Sequence, residues 1–124
     1  MKLTNIEMDQ KINDLEPFLE RTDVIGYSAA RNTRMLLNQA VEYREFKEIL
    51  IDKYGEPEVD GNGNPTGRKF LRVGTEAFEK FKEEISQIAS MEYEVDGLIT
   101  LKYSDVNGVL SGADILTIDW MLED

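Results

Sequence analysis

Residues 23–54 read DVIGYSAARNTRMLLNQAVEYREFKEILIDKY, and the spacing of their apolar side chains decides the fold. Leu36, Ala40, Tyr43, Phe46, Leu50 and Tyr54 step by four, three, three, four and four residues. With 3.6 residues per turn, those steps put all six on one stripe of a helix. Leu37 and Val41 widen the stripe, while Glu42, Glu45, Lys47, Glu48 and Asp52 fall mostly off it, as a solvated face would. The spacing predicts one long amphipathic helix of about seven or more turns. Gly26 weakens its first turn, which places the start nearer Ser28. At the other end Gly55 stands where a helix ends, and Pro57 forbids continuation.

Working outward, TNIEMDQKINDLEPFLER at the N-terminus carries Ile6, Met8, Ile12, Leu15, Phe18 and Leu19 at helical spacings. A short helix is expected, capped by Thr4 or Asn5 and ending near Glu16, because Pro17 removes a backbone donor and clashes one turn back. On the other side, residues 56–68 read as an exposed loop, and KFLRV at 69–73 alternates as a strand does. Thr75 then caps a helix whose Phe78, Phe81, Ile85 and Ile88 step by three, four and three and face the long helix. In MEYEVDGLITLKY the period changes to two. Asp96-Gly97 sits between alternating runs, the pattern of a β-hairpin, although a helix running on to about Tyr93 competes with it. Ser111 and Asp114 stand as a capping box before a last short helix that bears Trp120. The fold class expected is α+β and mostly α. One long central helix carries a shorter antiparallel helix, a small hairpin or sheet and short terminal helices, all in a single domain over 1–124 with an exposed loop at about 56–68.

Composition narrows the chemistry. The 124 residues are enough to bury a core without disulfides or metal, and a hydrophobic fraction of 41% fits a folded chain. There is no cysteine, which excludes disulfides and thiolate metal sites, and no histidine, which excludes histidine-dependent triads and the commonest metal ligand. With 14 basic and 25 acidic residues the formal charge is −11, so nucleic-acid phosphates and anionic membranes repel the chain. MKLTNIEMDQ has no apolar core of a signal peptide, and no apolar run reaches the roughly 18 residues of a membrane helix. A soluble protein acting in the cytoplasm of its cell is expected.

Candidate sites are few. Asp60, Asn62 and Asn64 alternate with Gly61 and Gly63 like the first ligands of a calcium loop. Position six of such a loop, however, is Pro65 where glycine is needed, and position twelve is Leu71 where glutamate is needed. The segment reads as a turn. Glu42, Glu45 and Glu48, and Glu79, Glu83 and Glu84, lie at helical spacing, but paired carboxylate metal sites normally add histidines. Both rows read as solvated faces. No spacing marks a pair of opposed catalytic acids, so no catalytic, metal or cofactor residue is expected and an enzyme is not. Arg31 and Arg34, one turn apart, suit a carboxylate or phosphate partner, with pairing to Asp23 or Glu20 in the same chain as the simpler reading. Arg68, Lys69 and Arg72 make the other basic cluster, too small to argue for nucleic-acid binding.

Taken in order, KLTNIEM, the helix AARNTRMLLNQAVEYREFKEILIDKYGE, DGNGNP, FEKFKEEISQIASMEYEVD and LSGADILTIDWMLED resemble a family of small phage and prophage proteins of Gram-positive bacteria. The resemblance spans nearly the whole chain. It implies viral origin, expression in a bacterial host and no assigned activity. The function expected is therefore non-enzymatic: protein–protein interaction in an accessory or assembly role. Arg31, Arg34, Tyr43 and Trp120 are the candidate contact residues, and a homodimer is the default self-association. The alternative is an acidic inhibitor that mimics nucleic acid and occupies the groove of a host defence or DNA/RNA-processing protein.

Overall fold

The structure, a computed structural model, describes residues 1–123. Its class is α+β with helix predominating. The chain forms two compact units, one from Met1–Ala40 with the described residues from Glu92 onward, the other from Val41–Met91.

In the first unit, strand β1 (Lys2–Thr4) leads directly into helix α1 (Asn5–Leu15). Thr4 makes that junction. Its hydroxyl accepts the Glu7 N–H at 3.1 Å, and its own N–H donates to Glu7 Oε1 at 2.9 Å, closing a capping box. Met8, Ile12 and Leu15 are buried on one face. Pro17 lies in the first positions of a 3₁₀ turn, Glu16–Phe18, where its missing N–H costs nothing, and Phe18 turns inward.

Helix α2 (Val24–Gln39) starts at Val24, ahead of the expected Ser28. The Asp23 side chain accepts the Gly26 N–H at 3.2 Å and caps the first turn, which offsets the glycine. Ile25, Ala29, Asn32 and Leu36 face inward.

The expected single long helix is two. Ala40, at φ −94° and ψ 8°, ends α2 while its N–H still bonds the Leu36 carbonyl at 2.9 Å. Helix α3 (Val41–Tyr54) follows at once. Leu36 and Ala40 belong to the core of the first unit, and Tyr43 and Leu50 do not. A one-residue departure barely shifts the phase of a 3.6 period, so the stripe in the sequence runs through a break in the backbone.

The other correction concerns Asp96-Gly97. Strand β4 (Glu92–Glu94) forms, and Gly97 takes the positive φ of a turn, +83°. Yet the two runs do not pair with each other. β4 pairs antiparallel with β1, with Leu3 opposite Tyr93, and β5 (Leu101–Lys102) pairs parallel with β6 (Leu122–Glu123). The Met1 ammonium adds an ion pair to Glu94 at 2.9 Å. Between those strands the buried side chain of Asn32 substitutes for a ladder. It donates to the Ile99 carbonyl at 2.9 Å and accepts the Ile99 N–H at 2.7 Å. A short α5 (Tyr103–Val106) and α6 (Gly112–Thr117) complete the unit. Ser111 Oγ accepts the Asp114 N–H at 3.1 Å, and Ile118 and Met121 are buried behind α6.

In the second unit the expected loop is a hairpin. β2 (Glu56–Val59) pairs antiparallel with β3 (Pro65–Phe70), so the strand expected at 69–73 lies earlier. The turn is organised by Asp60, whose Oδ1 accepts the N–H groups of Asn62 at 2.9 Å and Asn64 at 3.0 Å. Helix α4 (Glu76–Ala89), capped by Thr75 through the Phe78 N–H, packs on α3. Tyr54 Oη donates to Glu84 across that contact at 2.8 Å, and Phe81 is buried.

The cap of α2 gives a test in acid. Arg21 binds the Asp23 carboxylate through Nη2 at 2.6 Å and Nε at 3.2 Å. That contact first, and the Gly26 N–H with it, hold the Asp23 carboxyl below its ordinary range. A carboxyl whose folded pKa is depressed contributes stability above its unfolded pKa and loses it as pH falls through the folded value. Asp23→Asn keeps an oxygen for the cap but does not titrate. The urea midpoint of the wild type should therefore fall more steeply than that of Asp23→Asn once pH drops below the ordinary carboxylate range. Parallel curves would remove Asp23 from the acid response.

Candidate interaction surface

The outer face of α2 differs from the rest of the molecule. Tyr27, Arg31, Arg34 and Asn38 step by four, three and four and form one exposed ridge. Tyr27 is 64% exposed, and Val24 and Leu37 stand exposed beside it. The sixteen residues of α2 include no Asp or Glu, whereas every other described helix carries at least one carboxylate. On a chain of net charge −11, this is a helix face with two arginines and no acid. Tyr27, Ala30, Arg31, Arg34, Met35 and Asn38 line a shallow depression of about 450 Å³ on it.

The expected internal pairing of Arg31 and Arg34 with Asp23 or Glu20 does not form. Asp23 is held by Arg21, two residues away. Arg31 comes eight positions later, about 12 Å further along the helix rise. Among the described residues neither Arg31 nor Arg34 makes an ion pair. Two guanidinium groups one turn apart, beside an exposed tyrosine, suit bidentate binding of carboxylates, with the aromatic supplying contact area.

The remaining candidates are placed differently. Tyr43 is 7% exposed, so it lies among the buried residues of the chain and away from the exposed ridge. Its place in the apolar stripe already carried that reading. Trp120 is half-buried against the core of the first unit, and the Lys11 ammonium sits 5.0 Å from its ring centre. Its indole N–H is buried without a partner among the described residues, near a cavity of about 200 Å³ lined by Met1, Val95, Leu98 and Ile99. Trp120 is thus only partly available at the surface. Tyr27, which the sequence reading passed over, is the aromatic beside the arginines. Extending the four-and-three spacing back from Arg34 and Arg31 would have found it.

Neither acidic row gathers a metal site. Glu79 pairs with Lys82 at 3.9 Å, and Glu84 is taken by Tyr54 and Lys53. Among the described residues no group of three or more Asp or Glu side chains is placed to hold a metal ion. No described helix is long and apolar enough to cross a membrane. No family model, curated protein or solved structure matches this chain.

Proposed function

We propose that this protein works without catalysis, by binding another protein in an accessory or assembly role, in keeping with its resemblance to small phage and prophage proteins. The observation that carries the proposal is the α2 ridge, where Tyr27, Arg31 and Arg34 are exposed together with no internal acid to satisfy the arginines. Arginine and tyrosine are the residue types over-represented where interfaces concentrate their binding energy.

The test is affinity capture from a lysate of phage-infected or prophage-induced bacteria, with the wild type and with Arg31→Glu/Arg34→Glu side by side. Both side chains are exposed, so the thermal melt of the double variant should match the wild type. A specific partner should be retained by the wild type and depleted at least about tenfold by the variant, the scale of losing a close charge pair at an interface. Equal capture by both would place the contact elsewhere. Capture of a nucleic-acid enzyme that survives Arg31→Glu/Arg34→Glu but is lost on neutralising Glu42, Glu45 and Glu48 would overturn the proposal in favour of the nucleic-acid mimic.

A further inference from the structure

The second unit carries a surface of a different kind. Its buried apolar side chains are Tyr43, Leu50 and Phe81, while Phe46, Ile49, Val59 and Val73 stand exposed. Every residue of β3 is exposed, and the β2–β3 hairpin pairs with no third strand among the described residues. Two-stranded hairpins are marginal in water without further cover.

Between the hairpin and α3 runs an open trough of about 650 Å³, lined by Glu48, Ile49, Ile51 and Asp52 from α3 and by Arg68 and Lys69 from β3. Ile49 is 61% exposed in it. The α3 side is acidic and the β3 side basic. Lys69 bridges the two walls, with its ammonium 3.3 Å from the Asp52 carboxylate and 2.9 Å from the Asp52 carbonyl. Glu48, beside Ile49 on α3, and Arg68, across the trough on β3, have no ion-pair partner among the described residues.

We infer that this trough is a self-association surface whose occupant is a second copy of the same chain, related by a two-fold axis. A two-fold interface uses one patch twice, so the patch must complement itself. A trough with acids and isoleucines on its α3 wall and bases on its β3 wall does so. Rotation about an axis near Ile49 sets Arg68 of each copy against Glu48 of the other and covers both isoleucines. A trough built for an acidic partner would carry bases on both sides, and one built for a basic partner would carry acids on both. The net charge of −11 opposes association at long range, so the pairing is a short-range contact that the isoleucines must support. This inference stands apart from the α2 ridge, because the two surfaces share no residue.

Sedimentation velocity across submicromolar to high micromolar concentrations tests it. The wild type should pass from monomer to dimer. Glu48→Arg and Arg68→Glu should each weaken the dimer at least about tenfold, and Ile49→Asp should do the same or more. The double variant Glu48→Arg/Arg68→Glu exchanges the two charges and should recover to within about threefold of the wild type, which loss of folding could not do. Melts of all four variants should stay near that of the wild type, since the substituted side chains are exposed. A wild type that remains monomeric throughout would overturn the inference. So would single variants that dimerise as well as the wild type, or a charge exchange that fails to restore association.

Discussion

Asn32→Ala should destabilise the protein by about 3 kcal/mol, which in a domain of this size lowers the melting temperature by roughly 10 °C. Asn32 sits in mid-helix, where its type is no better than average for helix formation, and it is 0% exposed. Its amide donates to the Ile99 carbonyl and accepts the Ile99 N–H, bonding both backbone groups of one residue as a neighbouring strand would. Truncation removes both partners at once. Each backbone group left unpaired costs about 1–3 kcal/mol, depending on how far water can follow. No strand partner is free to supply the missing donor and acceptor, because β4 and β5 on either side are engaged with β1 and β6. Urea unfolding measures the change, and a loss below about 1 kcal/mol would mean that Ile99 finds other partners.

Asn32→Asp sharpens the same argument through pH. An ionised carboxylate can accept the Ile99 N–H but cannot donate to the Ile99 carbonyl, and burial penalises its charge. Its folded pKa is therefore raised above the unfolded one. A group of that kind contributes its stability below the unfolded carboxyl pKa of about 4 and loses it as pH rises through the folded value. The deficit of Asn32→Asp relative to the wild type should accordingly be smallest in acid and grow toward neutrality. A deficit that is flat with pH would show that the introduced carboxyl does not meet the Ile99 carbonyl.

Asn32 also marks where reading the sequence stops. Thr4 with Glu7, Thr75 with Phe78 and Ser111 with Asp114 are contacts within three residues, and the sequence displays both members of each. The starts of α1, α4 and α6 were legible for that reason. Asp96-Gly97 announced a hairpin turn, and Gly97 does take a positive φ, but which strand each flank joins is settled by segments far away in sequence, Lys2–Thr4 and Leu122–Glu123. Pairing partners carry no local signature. The β2–β3 hairpin escaped notice because EPEV and PTGRKF lack the apolar alternation of a half-buried strand, and β3 is exposed throughout. At the surface, Arg31 and Arg34 were visible as types and spacing. That they stay unpaired reflects the helix rise, which leaves Arg31 about 12 Å beyond Asp23, whose partner is Arg21.

That turn supplies the other large effect, at Gly26. Propensity alone says that Gly26→Ala should stabilise α2 by about 1 kcal/mol. The expected result is the opposite, a net destabilisation of about 2 kcal/mol. A methyl group on Gly26 would run into the Arg21 carbonyl oxygen and stand 2.7 Å from its carbon and 3.0 Å from the Arg21 Cβ. The first two are backbone atoms, which no rotamer change can clear. The turn that bears them is held at several points. The Arg21 N–H bonds the Phe18 carbonyl at 3.2 Å, the Arg21 side chain grips Asp23, and Asp23 caps the N–H of Gly26 itself. Moving the carbonyl aside pulls on all three contacts, and Phe18, which is buried, lies at the root of the turn. Ala30→Gly provides the comparison, because Ala30 is exposed on the same helix and should follow propensity, losing about 1 kcal/mol. Both substitutions should therefore destabilise, although they are opposite changes in helix propensity. If Gly26→Ala raised the urea midpoint instead, the close approach of the Arg21 carbonyl to α2 would be refuted.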